Sequence, residues 1–373
     1  MKKITFLNLH MGFGGIESST INTANKLSKD YEVEIIAFYD LDHNQAYKLN
    51  KDVKIKYLYK GGPNRDEIKE CIKKFKLVSL FKEALKAIKI LKLKKSLMIK
   101  EIAESDSDVI VSTTYSFSRL LSKYGKSNTI KIAQEHQHHN DNQKYINVIK
   151  NDYNNIDYLF ALTNSLKEDY ELFLKDNNHT KVVLVPNMLI NYPDTLSKLK
   201  SDNIVSVGRL HPGKRIDELI KIFSKIENKT NKLYIIGSGE EYDNLKQLVI
   251  DLKLEDRVLL LGNMTHEEMK PYMLDSALFA MTSVTEALPM VLLEAMSYGI
   301  PTIAYETRSG TNDIIDDGCG YIIKNRDESV YISKINEYLN LKDKKTISKK
   351  ALEKAHKFSS DEIIKIWKTI IDK

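Results

Sequence analysis

The chain has 373 residues, with 57 Lys and Arg against 51 Asp and Glu for a formal net charge of +6, and 42% of its residues are hydrophobic. That is enough apolar material for two domains, each with its own core, and it excludes a disordered polyelectrolyte. Two cysteines, Cys71 and Cys319, supply no disulfide framework, and no apolar run is long enough to span a bilayer, so the expected setting is a reducing cytoplasm.

Strand and helix patterns alternate along the chain, which predicts an α/β fold with parallel sheets. The opening run Lys3-Ile-Thr-Phe-Leu-Asn-Leu reads as a strand, followed by a glycine-rich turn through Gly12, Gly14 and Gly15 and a helix from about Ser18 to Lys29. Strand, glycine turn and helix open a nucleotide-binding unit in general, but these glycines do not give the dinucleotide fingerprint. Glu17 reads as a first-turn acid matched to the helix dipole.

From Lys69 to Lys100 there are eleven lysines and two glutamates, interleaved at near-helical spacing with Ile72, Phe75, Leu77, Val78, Phe81, Leu85, Ile88 and Leu91. A basic amphipathic stretch suits an anionic membrane surface, each lysine near the headgroups contributing up to about 1 kcal/mol. A solvated helix face packed on its own domain is the other reading. No nucleic-acid module accompanies this charge, so nucleic acid is not an expected partner. Asp106-Ser-Asp108 is formally a D-x-D metal signature, but it directly precedes the strand Val109-Ile-Val-Ser and reads as a turn. The histidines of Glu135-His136-Gln-His138-His139 follow another strand; no cysteine lies near and their spacing matches no zinc motif, so no metal is expected there.

Two prolines interrupt the pattern between Val185 and Asp194, where the hinge between domains is expected. Beyond it, Ile204-Val-Ser-Val reads as a strand leading into Gly208-Arg209 and then Gly213-Lys214. An arginine fork and a lysine point charge placed at a departing diphosphate stabilise the transition state more than the ground state. Leu233-Tyr-Ile-Ile with Gly237-Ser-Gly239, and Val258–Leu261 with Gly262-Asn263, are two further strands ending in turns. Next come Glu286 and Glu294, eight residues apart, with Pro289 between them at the start of an apolar helical run. Proline at the first helical position has no N–H to lose, so Pro289 is expected to start the helix, with Glu286 in the preceding loop. The bare amides from Met290 and Val291 onward favour a phosphate, and carboxylates beside it accept bonds from hydroxyls, which together describe a sugar–diphosphate–ribose site. The last segment, from Phe358, is a capped amphipathic helix holding the single tryptophan, Trp367.

The stretch from Glu286 to Glu294, preceded in order by the Gly-Arg, Gly-x-Gly and Gly-Asn turns, resembles the E-x7-E motif of the retaining glycosyltransferases of family 4. The resemblance covers nearly the whole chain. It implies the GT-B fold, an α/β architecture of two Rossmann-like domains facing across a cleft, with the C-terminal helix crossing back to domain one. On that plan residues 1–190 form the acceptor-binding domain with the basic segment 69–100, residues 199–355 the nucleotide-sugar domain, and 356–373 the crossover helix.

By resemblance Glu286 contacts the transferred sugar, Glu294 holds the ribose, Arg209 and Lys214 take the diphosphate, and His136 lies against the donor sugar. Gly14 and Gly15 approach the donor phosphate, Gly208, Gly237 and Gly239 belong to donor-side turns, and Asn263 lies near the base. Leu288, Pro289, Met290 and Val291 border the donor. This chain reads Glu286-Ala287-Leu288-Pro289 where the family commonly reads Glu-Gly-Phe-Pro, a change in the side chains beside the sugar. The implied reaction is retaining, metal-independent and cofactor-free transfer of a hexose or N-acetylhexosamine from a nucleotide sugar, UDP-linked by expectation. The implied acceptor is a lipid-linked glycan or a cell-surface polysaccharide such as capsule, lipopolysaccharide or teichoic acid, met at the inner face of the plasma membrane. A sugar phosphorylase of the same fold and a catalytically silent glycan-binding subunit stay open beside it.

Overall fold

Runs that are apolar at successive positions, such as Ile204-Val-Ser-Val and Leu278-Phe-Ala-Met, bury both faces of a strand, and such strands belong in parallel sheets covered by helices. The computed structural model describes residues 1–12, 14–41, 48–316 and 318–373. It divides into two units, the first comprising Met1–Leu162, Lys167–Val185 and Ile364–Lys373, the second Thr163–Leu166 and Pro186–Ile363.

In the first unit the order is β1 (Lys3–His10), α1 (Gly15–Leu27), β2 (Glu32–Asp40), β3 (Val53–Lys60), α2 (Arg65–Lys73), α3 (Leu77–Glu104), β4 (Val109–Ser112), α4 (Tyr115–Tyr124), β5 (Ile130–Gln134), α5 (Gln143–Asp152), β6 (Tyr158–Ala161), α6 (Asn164–Phe173) and β7 (Lys181–Leu184). Its seven strands run β3-β2-β1-β4-β5-β6-β7, and all pair in parallel. The basic segment is spread over two helices. Its break lies at Phe75, which holds φ 51, a left-handed conformation uncommon for a bulky side chain.

The second unit continues with β8 (Ile204–Val207), α7 (Ile216–Lys225), β9 (Leu233–Ile236), α8 (Tyr242–Asp251), β10 (Val258–Gly262), α9 (His266–Leu274), β11 (Leu278–Met281), α10 (Met290–Ser297), β12 (Thr302–Tyr305), α11 (Thr311–Ile314), β13 (Gly320–Ile323), α12 (Glu328–Leu339), α13 (Lys345–His356) and α14 (Ser360–Ile371). Six parallel strands run β10-β9-β8-β11-β12-β13. Helix α7 buries Ile216, Leu219, Ile220 and Phe223, the i, i+3, i+4, i+7 face of an amphipathic helix. Helix α12 is pinned to the sheet by buried hydroxyls: Tyr331 donates to the carbonyls of Met281 (3.2 Å) and Ile303 (3.0 Å), and Tyr338 to that of Ala277 (2.7 Å).

The chain leaves the first unit after Val185, at the start of the segment expected as the hinge, because the following segment pairs within the second. There the Leu189 amide donates to the Phe358 carbonyl at 2.7 Å and the Tyr192 hydroxyl to the Ala355 carbonyl at 2.9 Å. The C-terminal half of α14 returns to the first unit. Trp367 is buried there against Phe6 and Phe160, with ring centroids 5.9 and 4.9 Å away.

Candidate active site

In the second sheet, strands β8 and β11 are neighbours although their connections run to opposite sides, which makes a topological switch point. Ligands of open α/β sheets bind at the carboxyl ends of strands at such a point. The loops leaving it are 208–215 after β8 and 282–289 after β11. Three turns there are fitted backbone to backbone. A Cβ on Gly237, whose φ is 140, would stand 1.9 Å from the Gly208 carbonyl oxygen, and one on Gly239 2.2 Å from that of Leu210. The Gly208 amide donates to Ile236 at 3.0 Å and the Gly237 amide to Gly262 at 2.8 Å, so the Gly-Arg, Gly-x-Gly and Gly-Asn turns form one connected rim. Asn263, next on that rim, is exposed.

The two switch-point loops are also bonded to each other. The Val284 amide donates to Gly213 (3.0 Å), and Thr282 Oγ1 donates to the carbonyls of Arg215 (2.8 Å) and Lys214 (3.1 Å). Arg326 closes the arrangement from behind. Its guanidinium donates to the carbonyls of Thr282 (2.9 Å) and Ser283 (3.1 Å), pairs with Glu218 and lies 4.3 Å from the Tyr305 ring centre.

This bracing brings two of the sequence-predicted side chains together across 72 positions of chain: Lys214 Nζ stands 2.5 Å from Glu286 Oε1. Arg209 is 70% exposed, and its guanidinium donates to Glu240 at 3.3 Å. Pro289 does not start the helix as expected. With ψ 90 it is extended and forms the N-cap, and α10 begins at Met290, because the following turn closes through a bond from the Leu292 amide to the Pro289 carbonyl at 3.0 Å. Met290 and Val291 head the helix, half-buried, while Leu288 is buried.

The loop 306–311 holds the Glu286 segment in place. Ser309 Oγ donates to the Glu286 carbonyl at 3.0 Å, and Gly310, at φ 84, sits where a Cβ would come within 2.9 Å of the Pro289 ring. Glu294, one helix face further on, lines a cavity of about 400 Å³ with Asn191, Tyr192, His266, Lys270 and Tyr298. Burial raises its carboxyl pKa, and the nearby His266 pulls it back down. Glu286 does not line that cavity.

The first sheet has its own switch point between β1 and β4. The glycine turn follows β1; Phe13 lies outside the described residues. Gly14 has extended backbone (φ 164), but a Cβ there would stand 2.1 Å from the buried Glu17 Oε2, whereas Gly15 has open space where a Cβ would stand, so local packing disfavours a side chain at the first and not at the second. Glu17 is a first-turn acid, and it is buried with a carboxylate oxygen 3.2 Å from His10 Nδ1.

His136 follows β5. Both its ring nitrogens are buried with no hydrogen-bond partner among the described residues, and burial lowers its pKa to about 4, so the ring is neutral at pH 7. Beside it the buried Glu135 accepts from Ser118 (3.0 Å), Tyr145 (2.9 Å) and Tyr153 (2.5 Å), a cluster that no local sequence signal announced. His138, His139 and Asp169 lie close enough for a metal. However, His139 accepts from the Asp141 amide at Nδ1 (3.1 Å) and meets Asp169 through Nε2 (2.7 Å), so neither of its nitrogens is left for one. The D-x-D pair sits at the opposite, amino end of the strands. There Asp108 accepts from the Lys3 amide (2.7 Å) and Asp106 binds the Lys3 ammonium, as a turn between α3 and β4.

Residues 191–357, most of the second unit, match the family described as Glycosyl transferases group 1. Over its full length the chain is 27% identical to an uncharacterized glycosyltransferase of Haemophilus influenzae, covering 100% of both chains. Such matches support a GT-B glycosyltransferase. A Campylobacter jejuni α-1,4-N-acetyl-D-galactosaminyltransferase, named for an undecaprenol-diphosphate-linked acceptor, is 26% identical over 100% of this chain and 98% of its own. Among solved structures, a mutant of S. aureus TarM in complex with Fondaparinux, alpha-GlcNAc-glycerol and UDP superposes with a TM-score of 0.75 at 18% identity, covering 100% of both chains, a likeness of fold. The fold expected from the sequence, two Rossmann-like domains with parallel sheets, is the fold found.

Proposed function

We propose that the chain is a retaining glycosyltransferase of family 4 that moves a hexose or N-acetylhexosamine from a UDP-sugar, without a metal, to a lipid-linked glycan or cell-surface polysaccharide. The observation that carries this is the Lys214–Glu286 pair at the β8/β11 switch point, beside the amide end of α10. Lys214 exchanges its carboxylate partner for the donor diphosphate, assisted by Arg209 and the amides of Met290 and Val291, which favours the charge that develops as the glycosidic bond breaks. Glu286, released from that pair, accepts from hydroxyls of the transferred sugar. Glu294 accepts from the ribose at the edge of its cavity. His136, neutral and without a hydrogen-bond partner among the described residues, bonds a sugar hydroxyl at no cost in buried charge. In front-face substitution the departing phosphate takes the acceptor's proton, so no protein base is required.

A membrane-borne acceptor is supported by α2 and α3. Phe75, Leu77, Val78 and Phe81 are 88, 76, 73 and 67% exposed, and Leu85, Ile88 and Leu91 continue the stripe among lysines. An apolar ridge flanked by cations fits an anionic bilayer face better than water, and it is consistent with peripheral attachment to the inner leaflet. Among the described residues no helix is long and apolar enough to cross a membrane.

The test is donor hydrolysis across UDP-, GDP- and ADP-sugars with EDTA present, followed by the anomeric configuration of the transfer product by NMR. Turnover of one UDP-sugar in EDTA with retained configuration is the expected result. An inverted product or strict metal dependence refutes the mechanism, and turnover with inorganic phosphate in place of an acceptor favours a phosphorylase.

A further inference from the structure

Beside the α2–α3 ridge, the first unit contains a second cavity of about 400 Å³ between α3, α4 and α5, with Lys94, Lys95, Arg119, Lys123 and Lys144 in its wall and no acidic residue in its lining. It shares Lys94, Tyr115, Ser116 and Lys144 with a cavity of about 520 Å³ that is lined by His136, Thr113 and Thr114, so one groove runs from the switch-point histidine to the basic wall. Arg119 is paired with Asp152 (3.1 Å) and Lys123 lies 5.5 Å over the Tyr124 ring. Among the described residues Lys94, Lys95 and Lys144 have no ion-pair partner. Lys94 is half-buried, and desolvation alone lowers its pKa. A partly desolvated ammonium without a counter-charge is costly, and an anion arriving at it recovers that cost. Lys95 and Lys144 are exposed, so Lys94 is the desolvated member of a set of five cations that ring one cavity from three helices.

We propose that this groove binds a phosphate group carried by the acceptor, with Lys94, Lys95 and Lys144 as its principal ligands and the acceptor hydroxyl directed toward His136. That the phosphate belongs to an acceptor rests on the glycosyltransferase reading above; the phosphate site stands or falls by itself. Leu91 lies in the cavity wall and also ends the exposed apolar stripe, so the groove opens where a lipid chain attached to that phosphate would leave the protein.

The probe is inorganic pyrophosphate, titrated calorimetrically into the full chain in a Lys214→Gln background that weakens the donor-side anion site. Binding is expected to be saturable and salt-sensitive, to weaken at least tenfold in Lys94→Gln/Lys144→Gln, and to be kept in Lys94→Arg/Lys144→Arg. UDP affinity, measured with Lys214 intact, is expected to be unchanged by the Lys94 and Lys144 substitutions. Loss of UDP binding in Glu294→Gln reports on the donor reading alone, so the two failures are separable. Should the glutamine pair not fold, amine acetylation of the unsubstituted chain followed by mass spectrometry replaces it, with pyrophosphate expected to protect Lys94 and Lys144 several-fold more than the exposed Lys229. Farnesyl diphosphate binding more tightly than pyrophosphate assigns the phosphate to a lipid carrier, and a glycerol-phosphate oligomer doing so assigns it to a polymer backbone. Unchanged pyrophosphate affinity in the folded glutamine pair, or acetylation indifferent to pyrophosphate, overturns the site.

Discussion

The carboxyl edges of the two sheets are built alike and finished differently. At the β8/β11 edge the charged groups and the buried threonine have protein partners, with Ser283 Oγ the exception: Lys214 pairs with Glu286, Thr282 with the 214–215 backbone, and Arg326 with the carbonyls of Thr282 and Ser283. At the β1/β4 edge His136 has buried nitrogens with no partner, and three lysines of the adjoining groove have no counter-charge among the described residues. A pre-bonded rim suits a ligand that is the same at every turnover, and a nucleotide diphosphate is such a ligand. Unspent hydrogen-bonding capacity suits a partner that supplies the missing groups itself.

That contrast orders the expected effects. The largest belongs to the paired rim: Glu286→Gln combined with Lys214→Ala is expected to lower kcat about a hundred- to a thousandfold while leaving the fold intact by circular dichroism. Transfer at the unsubstituted rate would dissolve the distinction between the two edges. Next, Gly237→Ala is expected to destabilise the chain by about 3 kcal/mol in denaturant titrations, because a methyl group at φ 140 meets the Gly208 carbonyl. Gly15→Ala, with open space around it, is expected to change stability by less than about 1 kcal/mol, and equal costs at both positions would contradict the geometry.

The open edge is probed by pH. His136 titrates at about 4 in the folded chain and near 6.5 when unfolded. The unfolded state therefore binds the extra proton first, and stability is whole above pH 6.5 and falls as pH drops toward 4, by about 3 kcal/mol at most. His136→Asn is expected to flatten that part of the pH–stability curve. The smallest effect on stability is expected on the ridge: Leu77→Ser/Phe81→Ser should move it by no more than about 0.5 kcal/mol, since both side chains are exposed. The same variant is expected to lose co-sedimentation with vesicles containing anionic phosphatidylglycerol, and retained binding would remove the ridge from the account.

Much of the architecture was legible because parallel strands buried on both faces write themselves as short apolar runs, and the turns after them carry glycines for a local steric reason. The Glu286–Glu294 spacing and the Gly208-Arg209 turn were legible in the same way. What could not be read is what the tertiary fold alone creates. The meeting of Lys214 with Glu286 depends on β8 and β11 becoming neighbours, and the closure by Arg326 and Ser309 comes from loops whose composition carries no periodic signal. Pro289 stands one position before the helix start instead of at it, since the N-cap amide, like those of the first turn, has no intrahelical bond for a proline to lose. The break at Phe75 was invisible because nothing about a phenylalanine between lysines predicts a left-handed residue.

The central claim, a nucleotide site on the second unit centred on α10, is tested most directly by thermal unfolding with and without UDP, in the unsubstituted chain and in Glu294→Gln. At a UDP concentration a hundredfold above Kd, stabilisation of about 2.7 kcal/mol is expected, with none in the variant. Without nucleotide the variant should be at least as stable as the parent at pH 7, because burial already disfavours the ionised Glu294. Equal stabilisation of both proteins by UDP, or of neither, would contradict the assignment.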